Sequence, residues 1–188
     1  FIIPKDLQKH YSEKIIYLPM CFQPNEERIP LSKRIFSRKV VGLPETGFIF
    51  CCFNNSWKIR PNIFKIWIRL LSIVDGSVLW FPAFSKPAIN NLRNECSKLG
   101  IDQNRLIFSV KEKFREDYHA KIKLADILLD SFPYGAHTTA SDFLRSGVPI
   151  VTLQGTSFAS RVASSLLLNL NLSELVTTTA ADYERLAI

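Results

Sequence analysis

Short, continuous apolar runs alternate with longer segments of mixed polarity between residues 48 and 188. Continuous apolar runs are typical of strands that are covered on both faces of a sheet, whereas the mixed segments repeat apolar residues at helical spacing. In chain order, the runs predict strands at 48–53, 77–81, 106–108, 127–129 and 149–153. This alternation predicts an α/β fold built on a Rossmann-like open parallel sheet with helices on both faces.

The mixed segments predict the helices between these strands. Pro61 suits the first turn of a helix, and the apolar positions after it repeat at helical spacing until Asp75 and Gly76 close the helix. The other predicted helices cover 87–99, 115–124, a segment from near 137–139 to Gly147, 157–168, and shorter pieces up to Ile188.

Residues 1–47 lack this regularity. Only residues 14–18, KIIYL, predict a short strand there, and the segment is interrupted by Pro19, Pro24, Pro30 and Pro44. We therefore interpret 1–47 as a linker with the tail of a preceding domain, and 48–188 as the folded lobe.

Composition narrows the class of protein. The chain is 47% hydrophobic and 22% charged, which is globular composition, and no apolar run approaches the ~18 residues of a membrane span. The four cysteines show no C-x-x-C spacing, and the adjacent Cys51 and Cys52 are predicted to point to opposite faces of one strand. We interpret them as reduced packing residues. Because the chain starts at Phe1 without a basic-then-apolar leader, we expect a fragment of a cytoplasmic protein.

The net charge of +7 is unevenly distributed. Residues 1–123 contain 21 Lys and Arg against 11 Asp and Glu, whereas residues 124–188 contain 3 against 6. A basic face can attract nucleic acid, an anionic membrane or a phosphorylated small molecule. The basic cluster at 111–123 is diluted by Glu112, Glu116 and Asp117, which argues against a track for an extended polyanion.

The stretch 124–152 combines a strand, a turn with Pro and Gly, a helix start and a second strand. Thr138 or Thr139 is predicted to cap the free amides of the helix, with Asp142 in the first turn. Free amides and the helix dipole favour an anion at such a helix start, so the stretch is a candidate phosphate cradle. The alternative is that this junction binds nothing, since most strand–turn–helix junctions in α/β sheets are purely structural.

Ligands of an open parallel sheet bind beyond the carboxyl ends of its strands, which points to the loops 54–60, 109–118 and 131–139. In the first loop, Lys58 can donate to phosphate oxygens and neutralise a leaving group, although a loop lysine is more often simply solvated. The helix after the second loop places Tyr118 and Lys121 on one face.

Four segments of the chain resemble the O-linked N-acetylglucosamine transferase family. They are FCCFNNSWKI, GSVLWF, LADILLDSFPYGAHTTASDFLRSGVPIVTL and SFASRVASSLL, and the similarity extends to YSEKIIYLP near the start. The resemblance therefore covers nearly the whole chain. It implies a GT-B glycosyltransferase, in which two Rossmann-like lobes hold a nucleotide-sugar between them, and it implies that 48–188 is the nucleotide-sugar-binding C-terminal lobe.

The resemblance also implies roles for individual residues. Lys58 matches the family lysine on the UDP diphosphate and is the expected catalytic residue, with the Asn55 amide beside it. His137 precedes the phosphate-binding threonines, Thr138 and Thr139. The other implied positions are the ribose-binding carboxylate of Asp142 and the basic nucleoside contacts of Arg115 and Lys121.

One of these positions departs from the family pattern. The family usually has a histidine where Tyr118 stands, and a tyrosine can stack on uracil equally well. A shift of one residue would place His119 there instead. A D-x-D motif is absent near the three loops, so we expect no metal and no other cofactor.

The implied partners are a UDP-sugar, an acceptor protein, an N-terminal catalytic lobe and tetratricopeptide repeats, with neither nucleic acid nor membrane. The leading hypothesis is the UDP-GlcNAc-binding lobe of an enzyme that transfers the sugar to Ser or Thr hydroxyls of proteins, and we expect the fragment alone to be inactive. Two alternatives stay open. One is a related enzyme that uses GDP-fucose or UDP-glucose, and the other is a non-enzymatic basic domain that binds nucleic acid or protein.

Overall fold

The computed structural model describes residues 1–25, 28 and 30–188, and these residues form a six-stranded parallel sheet. Its strands are β1 (Ile49–Cys51), β2 (Val78–Phe81), β3 (Leu106–Phe108), β4 (Ile127–Leu129), β5 (Ile150–Leu153) and β6 (Val176–Thr177). They lie in the order β3-β2-β1-β4-β5-β6. The predicted α/β class and open parallel sheet are confirmed. The two-residue strand β6 was missed, because two apolar-polar positions give no periodic signal.

The described part of the chain contains six α-helices, of which five connect successive strands and the last follows β6. They are α1 (Pro61–Ile73), α2 (Lys86–Lys98), α3 (Arg115–Ile122), α4 (Thr138–Arg145), α5 (Val162–Asn169) and α6 (Ala180–Ala187). The segment predicted as one helix over 157–168 divides into a 3-10 turn, Phe158–Ser160, and α5. None of the helices in the described residues is long and apolar enough to cross a bilayer.

The two faces of the sheet carry two separate apolar cores. One core joins Phe50 and Leu79 of the strands to Trp67 of α1 and Tyr183 of α6. The other joins neighbouring strand residues to Phe143 of α4 and to α5. Strand residues are buried on both sides because helices cover both faces, which explains the continuous apolar runs in the sequence.

The adjacent cysteines follow the predicted alternation. Cys51 belongs to the core with Phe143, and Cys52 belongs to the core with Trp67. All four cysteines are free thiols, and burial raises the pKa of Cys52 to about 12. A buried thiol with so high a pKa is protonated at neutral pH, as expected of a packing residue.

The segment 1–47 is irregular, as predicted, except that one of its expectations is wrong. Its described residues contain a 3-10 helix, Lys5–His10, but residues 14–18 form no strand, and Ile16 remains 83% exposed. A strand needs a hydrogen-bonded neighbour, and none of the sheet strands lies beside these residues. Residues 26, 27 and 29 of this segment lie outside the described residues.

Ion pairs hold the later part of this segment against the lobe. Arg38 donates to Asp126 at 2.9 Å, and Asp126 also accepts from the Ile49 amide at the start of β1. Arg34 contacts Asp117 and Glu112, at 3.0 and 2.8 Å. These contacts hold residues 34–38 against α3 and against the amino ends of β1 and β4.

The start of α4 differs from the predicted cap. His137 is the N-cap residue, its side chain makes no capping hydrogen bond, and Thr138 and Thr139 occupy the first turn. The threonines therefore do not cap the helix, because each lies one or two positions too late to reach back to the free amides. At the other end, Gly147 has a φ of 80° and closes the helix as predicted.

Candidate functional site

The strand order places the candidate loops at one edge of the sheet. β1 and β4 are neighbours in space, and the strand order runs outward from them in opposite senses, from β1 to β3 on one side and from β4 to β6 on the other. In an open parallel sheet such a switch point opens a crevice at the carboxyl ends of the strands. The loops after β1, β3 and β4 all reach this edge, where they form two adjoining regions.

The first region surrounds Lys58, in the short 3-10 helix Ser56–Lys58 that follows β1. The Lys58 ammonium donates to the Gly135 carbonyl at 2.9 Å and lies 4.1 Å from the centre of the Tyr134 ring. The Trp57 ring lies 5.7 Å away. Burial lowers the pKa of Lys58. The ammonium is thus held in place by a neutral carbonyl and by aromatic rings.

Asp130 fixes the loop that supplies the Gly135 carbonyl. Its carboxylate is buried and accepts from the Ala136 amide at 2.6 Å and from the Thr152 hydroxyl at 2.7 Å. A Cβ on Gly135 would lie 2.9 Å from this carboxylate and 3.1 Å from the Ala159 carbonyl, so a larger residue would have to displace one of them. Burial raises the pKa of Asp130 to about 6. Sequence reasoning missed Asp130, because its role depends on contacts between separate strands.

Asn54 joins the loops after β1 and β4. It is buried, and its amide donates to the Ser131 hydroxyl at 2.7 Å. Ser131 donates in turn to the Tyr134 carbonyl at 2.7 Å. The position predicted for a ligand contact, Asn55, is exposed and lies next to this bridge. The buried neighbour was missed since an amide in a polar loop carries no sequence signal for burial.

His137, Thr138 and Thr139 lie beside the Lys58 region at the start of α4. The His137 ring stacks on Tyr134 with 5.2 Å between centroids, and its Nε2 lies 3.3 Å from the Ala159 carbonyl. Burial lowers the pKa of His137. Thr138 is exposed and accepts from the Gln23 amide at 3.4 Å. We call Lys58 together with residues 134–139 the phosphate cradle.

The second region is a cavity of ≈ 490 Å³ between the loops after β1, β2 and β3. It brings together four predicted binding residues, namely Asn55, Arg115, Tyr118 and Lys121. Pro82 and Ala83, after β2, form a wall that the sequence did not predict. The Tyr118 ring lies 6.3 Å from that of Phe53, and burial raises its pKa. We call this region the base cavity.

Lys121 lines the base cavity, yet its charge is already compensated. The side chain is buried, and its ammonium donates to the Val110 carbonyl at 2.6 Å and to Glu112 at 3.1 Å. Glu112 also accepts from Arg34 at 2.8 Å. The lysine therefore holds the loop of residues 109–114 in place.

Asp142 connects α4 to α3 near the cavity. Its Oδ1 lies 3.8 Å from Arg115 Nη2 and 3.5 Å from His119 Nε2, and burial raises the pKa of Asp142. Tyr118 lines the base cavity, whereas His119 is buried against α4. Of the two residues considered for the base contact, the structure thus places Tyr118 at the cavity.

A family model for glycosyl transferase family 41 matches residues 23–188 of this chain. The chain belongs to glycosyltransferase family 41. A UDP-N-acetylglucosamine–peptide N-acetylglucosaminyltransferase of Caenorhabditis elegans is 37% identical over 86% of the chain. The probable UDP-N-acetylglucosamine–peptide N-acetylglucosaminyltransferase SEC of Arabidopsis thaliana is 33% identical over the whole chain.

A solved structure extends the family 41 assignment to the fold. An O-GlcNAc transferase mutant from Thermobaculum terrenum superposes with a TM-score of 0.83 and 26% identity. The match covers 99% of this chain and 35% of that one. The GT-B-like α/β fold implied by the sequence resemblance is thereby confirmed. The chain spans only 14% of the C. elegans protein and 20% of the Arabidopsis protein.

The roles assigned to single residues of this family 41 domain stay predictions. The structure brings Lys58, His137, Thr138 and Thr139 to the cradle, and it brings the remaining predicted residues to or beside the base cavity. Among the described residues, no group of three His, Cys, Asp or Glu side chains is placed to hold a metal ion. The expectation of metal-free binding is taken up as part of the proposal below.

Proposed function

We propose that this domain binds the donor, UDP-GlcNAc, of an enzyme that transfers the sugar to Ser and Thr hydroxyls of proteins. One observation carries the proposal. A lysine ammonium without a carboxylate in hydrogen-bond contact, Lys58, lies at the sheet edge next to a helix start and a cavity of ≈ 490 Å³. A nucleoside diphosphate has the matching chemistry, because a ribose joins its two negatively charged phosphate groups to a flat base.

The diphosphate belongs in the phosphate cradle. Lys58 supplies a positive charge that neutral groups keep in position, and the first amides of α4 supply hydrogen-bond donors aligned with the helix dipole. The exposed Thr138 hydroxyl and the Thr139 hydroxyl can donate to the same oxygens. Because these groups already carry positive charge and donors, we propose that donor binding needs no metal ion.

The nucleoside belongs in and beside the base cavity. Uracil would stack on Tyr118, between the walls formed by Phe53 and the loop after β3. Asn55 and Arg115 border the same space. Asp142 can accept from a ribose hydroxyl, since a carboxylate one turn into a helix is poorly placed to meet a phosphate.

In the proposed reaction an acceptor hydroxyl attacks the anomeric carbon and gives up its proton to a diphosphate oxygen or to water, while the bond from that carbon to the diphosphate oxygen breaks. UDP leaves with negative charge, which the Lys58 ammonium neutralises, and this is the catalytic role we assign to it. The acceptor must also be held about 3–3.5 Å from the anomeric carbon, a task for groups on the opposite side of a cleft. We therefore propose that 48–188 acts with an N-terminal lobe and that residues 1–188 alone bind donor without transferring sugar.

A thermal-shift panel in EDTA tests the proposal. UDP and UDP-GlcNAc should raise the melting temperature more than GDP, UDP-glucose or single-stranded RNA at equal concentration. A larger shift with GDP would favour the related fucosyltransferases, and a larger shift with RNA would favour a nucleic-acid-binding domain. Loss of the UDP shift in EDTA and its return with Mg²⁺ would contradict the metal-free binding.

Two further measurements separate the parts of the proposal. Tyr118→Ala should weaken UDP by about 1–3 kcal/mol, as expected for a lost stacking contact, while Tyr118→Phe should be nearly silent. If His119→Ala weakens UDP and Tyr118→Ala does not, the base contact lies one residue later than proposed. Labelled acceptor peptide formed by residues 1–188 above the level of Lys58→Ala would contradict the need for a second lobe.

A further inference from the structure

His119 is a buried histidine that none of the proposed ligand contacts uses. It lies in α3, one residue after Tyr118, and is only 4% exposed. Its Nδ1 lies 2.9 Å from the Ser146 hydroxyl at the end of α4. Its Nε2 is buried without a hydrogen-bond partner among the described residues, and it lies 3.5 Å from Asp142 Oδ1. Buried ring nitrogens are normally paired, so this arrangement needs an explanation.

The contacts of the neighbouring Asp142 carboxylate supply an explanation for Nε2, which lacks a hydrogen-bond partner in the described part of the chain. Both Arg115 Nη2 and His119 Nε2 face the same oxygen of Asp142, Oδ1, at 3.8 and 3.5 Å. The Asp142 side chain is 14% exposed, and burial raises its pKa. Both nitrogens therefore lie on the Oδ1 side of the carboxylate, at ion-pair rather than hydrogen-bond distance. Neither has the second oxygen, Oδ2, as its nearest contact on Asp142.

The surroundings of the two ring nitrogens of His119 favour the same tautomer. The Ser146 hydroxyl can donate to Nδ1, which leaves the ring proton on Nε2, the nitrogen that lies 3.5 Å from Asp142 Oδ1. Burial lowers the pKa of His119, which favours the neutral ring that this tautomer requires. Ser146 therefore acts on Asp142 through the histidine, in the way that an outer partner orients a metal-binding histidine.

We propose that His119 is a positioning residue that holds Asp142 by its Oδ1, so that Oδ2 accepts a hydroxyl of the donor ribose. The inference rests on the proposed function and on the assignment of Asp142 to the ribose. His119 would then affect how strongly the domain binds the ribose without contacting the ribose itself. A merely structural histidine would support α3 and α4 without affecting which nucleoside the domain prefers.

Ribose discrimination separates these two roles. Titration calorimetry with UDP, 2′-deoxy-UDP and 3′-deoxy-UDP should show that the wild-type domain prefers UDP to one of the deoxy compounds by about tenfold or more, the range for a hydrogen bond to a charged group. His119→Leu removes the donor and should bring that preference below about threefold. His119→Gln keeps an N–H donor and should retain most of it. His10→Leu, an exposed histidine in the first 3-10 helix, is the matched control.

The outcomes are distinguishable. If His119→Leu weakens UDP and both deoxy compounds by the same factor, the histidine is structural and the inference is overturned. If the wild-type domain binds UDP without preferring it to either deoxy compound, the ribose contact is absent and the inference is overturned while donor binding stands. If the wild-type domain does not bind UDP, the proposed function itself fails.

A spectroscopic measurement covers the case in which His119→Leu does not fold. The ¹⁵N imidazole spectrum of the wild-type domain has to account for only three histidines. It should show the His119 proton on Nε2 at neutral pH, and the Nε2 signal should move more with UDP than with the deoxy compound that binds less well. A proton on Nδ1 would overturn the inference.

Discussion

Two lysines line the proposed donor site, and they differ in what surrounds their charge. The Lys58 ammonium contacts the Gly135 carbonyl at 2.9 Å and the Tyr134 ring at 4.1 Å. The Lys121 ammonium contacts a carbonyl too, at 2.6 Å, but it also pairs with Glu112 at 3.1 Å. Lys121 is the more buried of the two. The two ammonium groups therefore differ in burial and also in whether a carboxylate pairs with them.

The comparison indicates that a basic residue at a site contributes charge only where the protein has not already neutralised it. A phosphate that meets Lys58 gains an ion pair without breaking one, because the present partners are neutral. A phosphate that meets Lys121 would compete with Glu112, whose second partner is Arg34. We expect Lys58 to act on the diphosphate and Lys121 to hold the wall of the base cavity.

The largest effect we expect concerns Asp130, the buried carboxylate on the Lys58 side, whose bonds go to an amide and a hydroxyl. Its pKa is raised from 3.8 to about 6 in the folded protein, so between these values the folded state binds more protons than the unfolded state. Stability from this group is complete below the unfolded pKa and is lost as the pH rises through 6. The total is roughly 3 kcal/mol for two pKa units.

Urea unfolding between pH 3.5 and 7.5 measures this effect. The free energy of unfolding of the wild-type domain, minus that of Asp130→Asn, should fall as the pH rises across this window and should level off above it. The subtraction removes the other carboxylates, which titrate in both proteins. A difference that stays constant with pH would mean that the pKa of Asp130 is not raised in the folded protein, as expected if attraction to Lys58 offset the effect of burial.

The next effect tests the Lys121 side. Lys121→Met keeps the apolar stem and removes the charge, leaving Glu112 with Arg34 alone. We expect a loss of about 1–3 kcal/mol in the free energy of unfolding, because the partly buried Glu112 carboxylate loses one of its donors. UDP and uridine should weaken by the same factor, since the wall of the base cavity shifts for both. Lys123→Met, at an exposed position of the same segment, is the control. Selective loss of UDP would show that Lys121 does contact the diphosphate.

The smallest effect concerns the ring over Lys58. Tyr134→Leu removes the aromatic face and should weaken UDP by about two- to fivefold, the range for a partly exposed cation–π contact. Tyr134→Phe retains the ring and should bind UDP as the wild-type domain does. In calorimetry, the wild-type domain and both variants should bind uridine with equal affinity. Equal binding of UDP by Tyr134→Leu would mean that the Gly135 carbonyl alone positions the ammonium.

Sequence patterns predicted most of the fold because burial on both faces leaves a signal at every strand. The predicted limits of β3 and β4 match the structure, and Pro61 begins α1 as predicted. The prediction of a strand at 14–18 was wrong, because a partner strand leaves no signal in the residues that would pair with it. The apolar residues of 14–18 describe what a strand could bury, and the sequence does not say whether a partner strand lies beside it.

The contacts in the candidate site were less predictable from the sequence than the fold. Sequence resemblance named Lys58 as the diphosphate contact and Lys121 as a basic contact to the nucleoside, and nothing in their spacing shows which of the two pairs with a carboxylate. Glu112 lies nine residues before Lys121 and Asp130 lies well after Lys58, so their effects arise from loops that meet only in the folded chain. The same holds for His119, whose partner Ser146 is 27 residues away.

The most direct test of the account is calorimetry of UDP and uridine, in EDTA, with the wild-type domain and Lys58→Ala. The exposed Lys65 on α1 provides the control Lys65→Ala. We predict that Lys58→Ala weakens UDP by about ten- to a hundredfold, the range for a charge-assisted hydrogen bond, and changes uridine by less than about twofold. Equal weakening of UDP and uridine by Lys58→Ala would contradict the claim that Lys58, whose hydrogen-bond partner is a neutral carbonyl, meets the diphosphate.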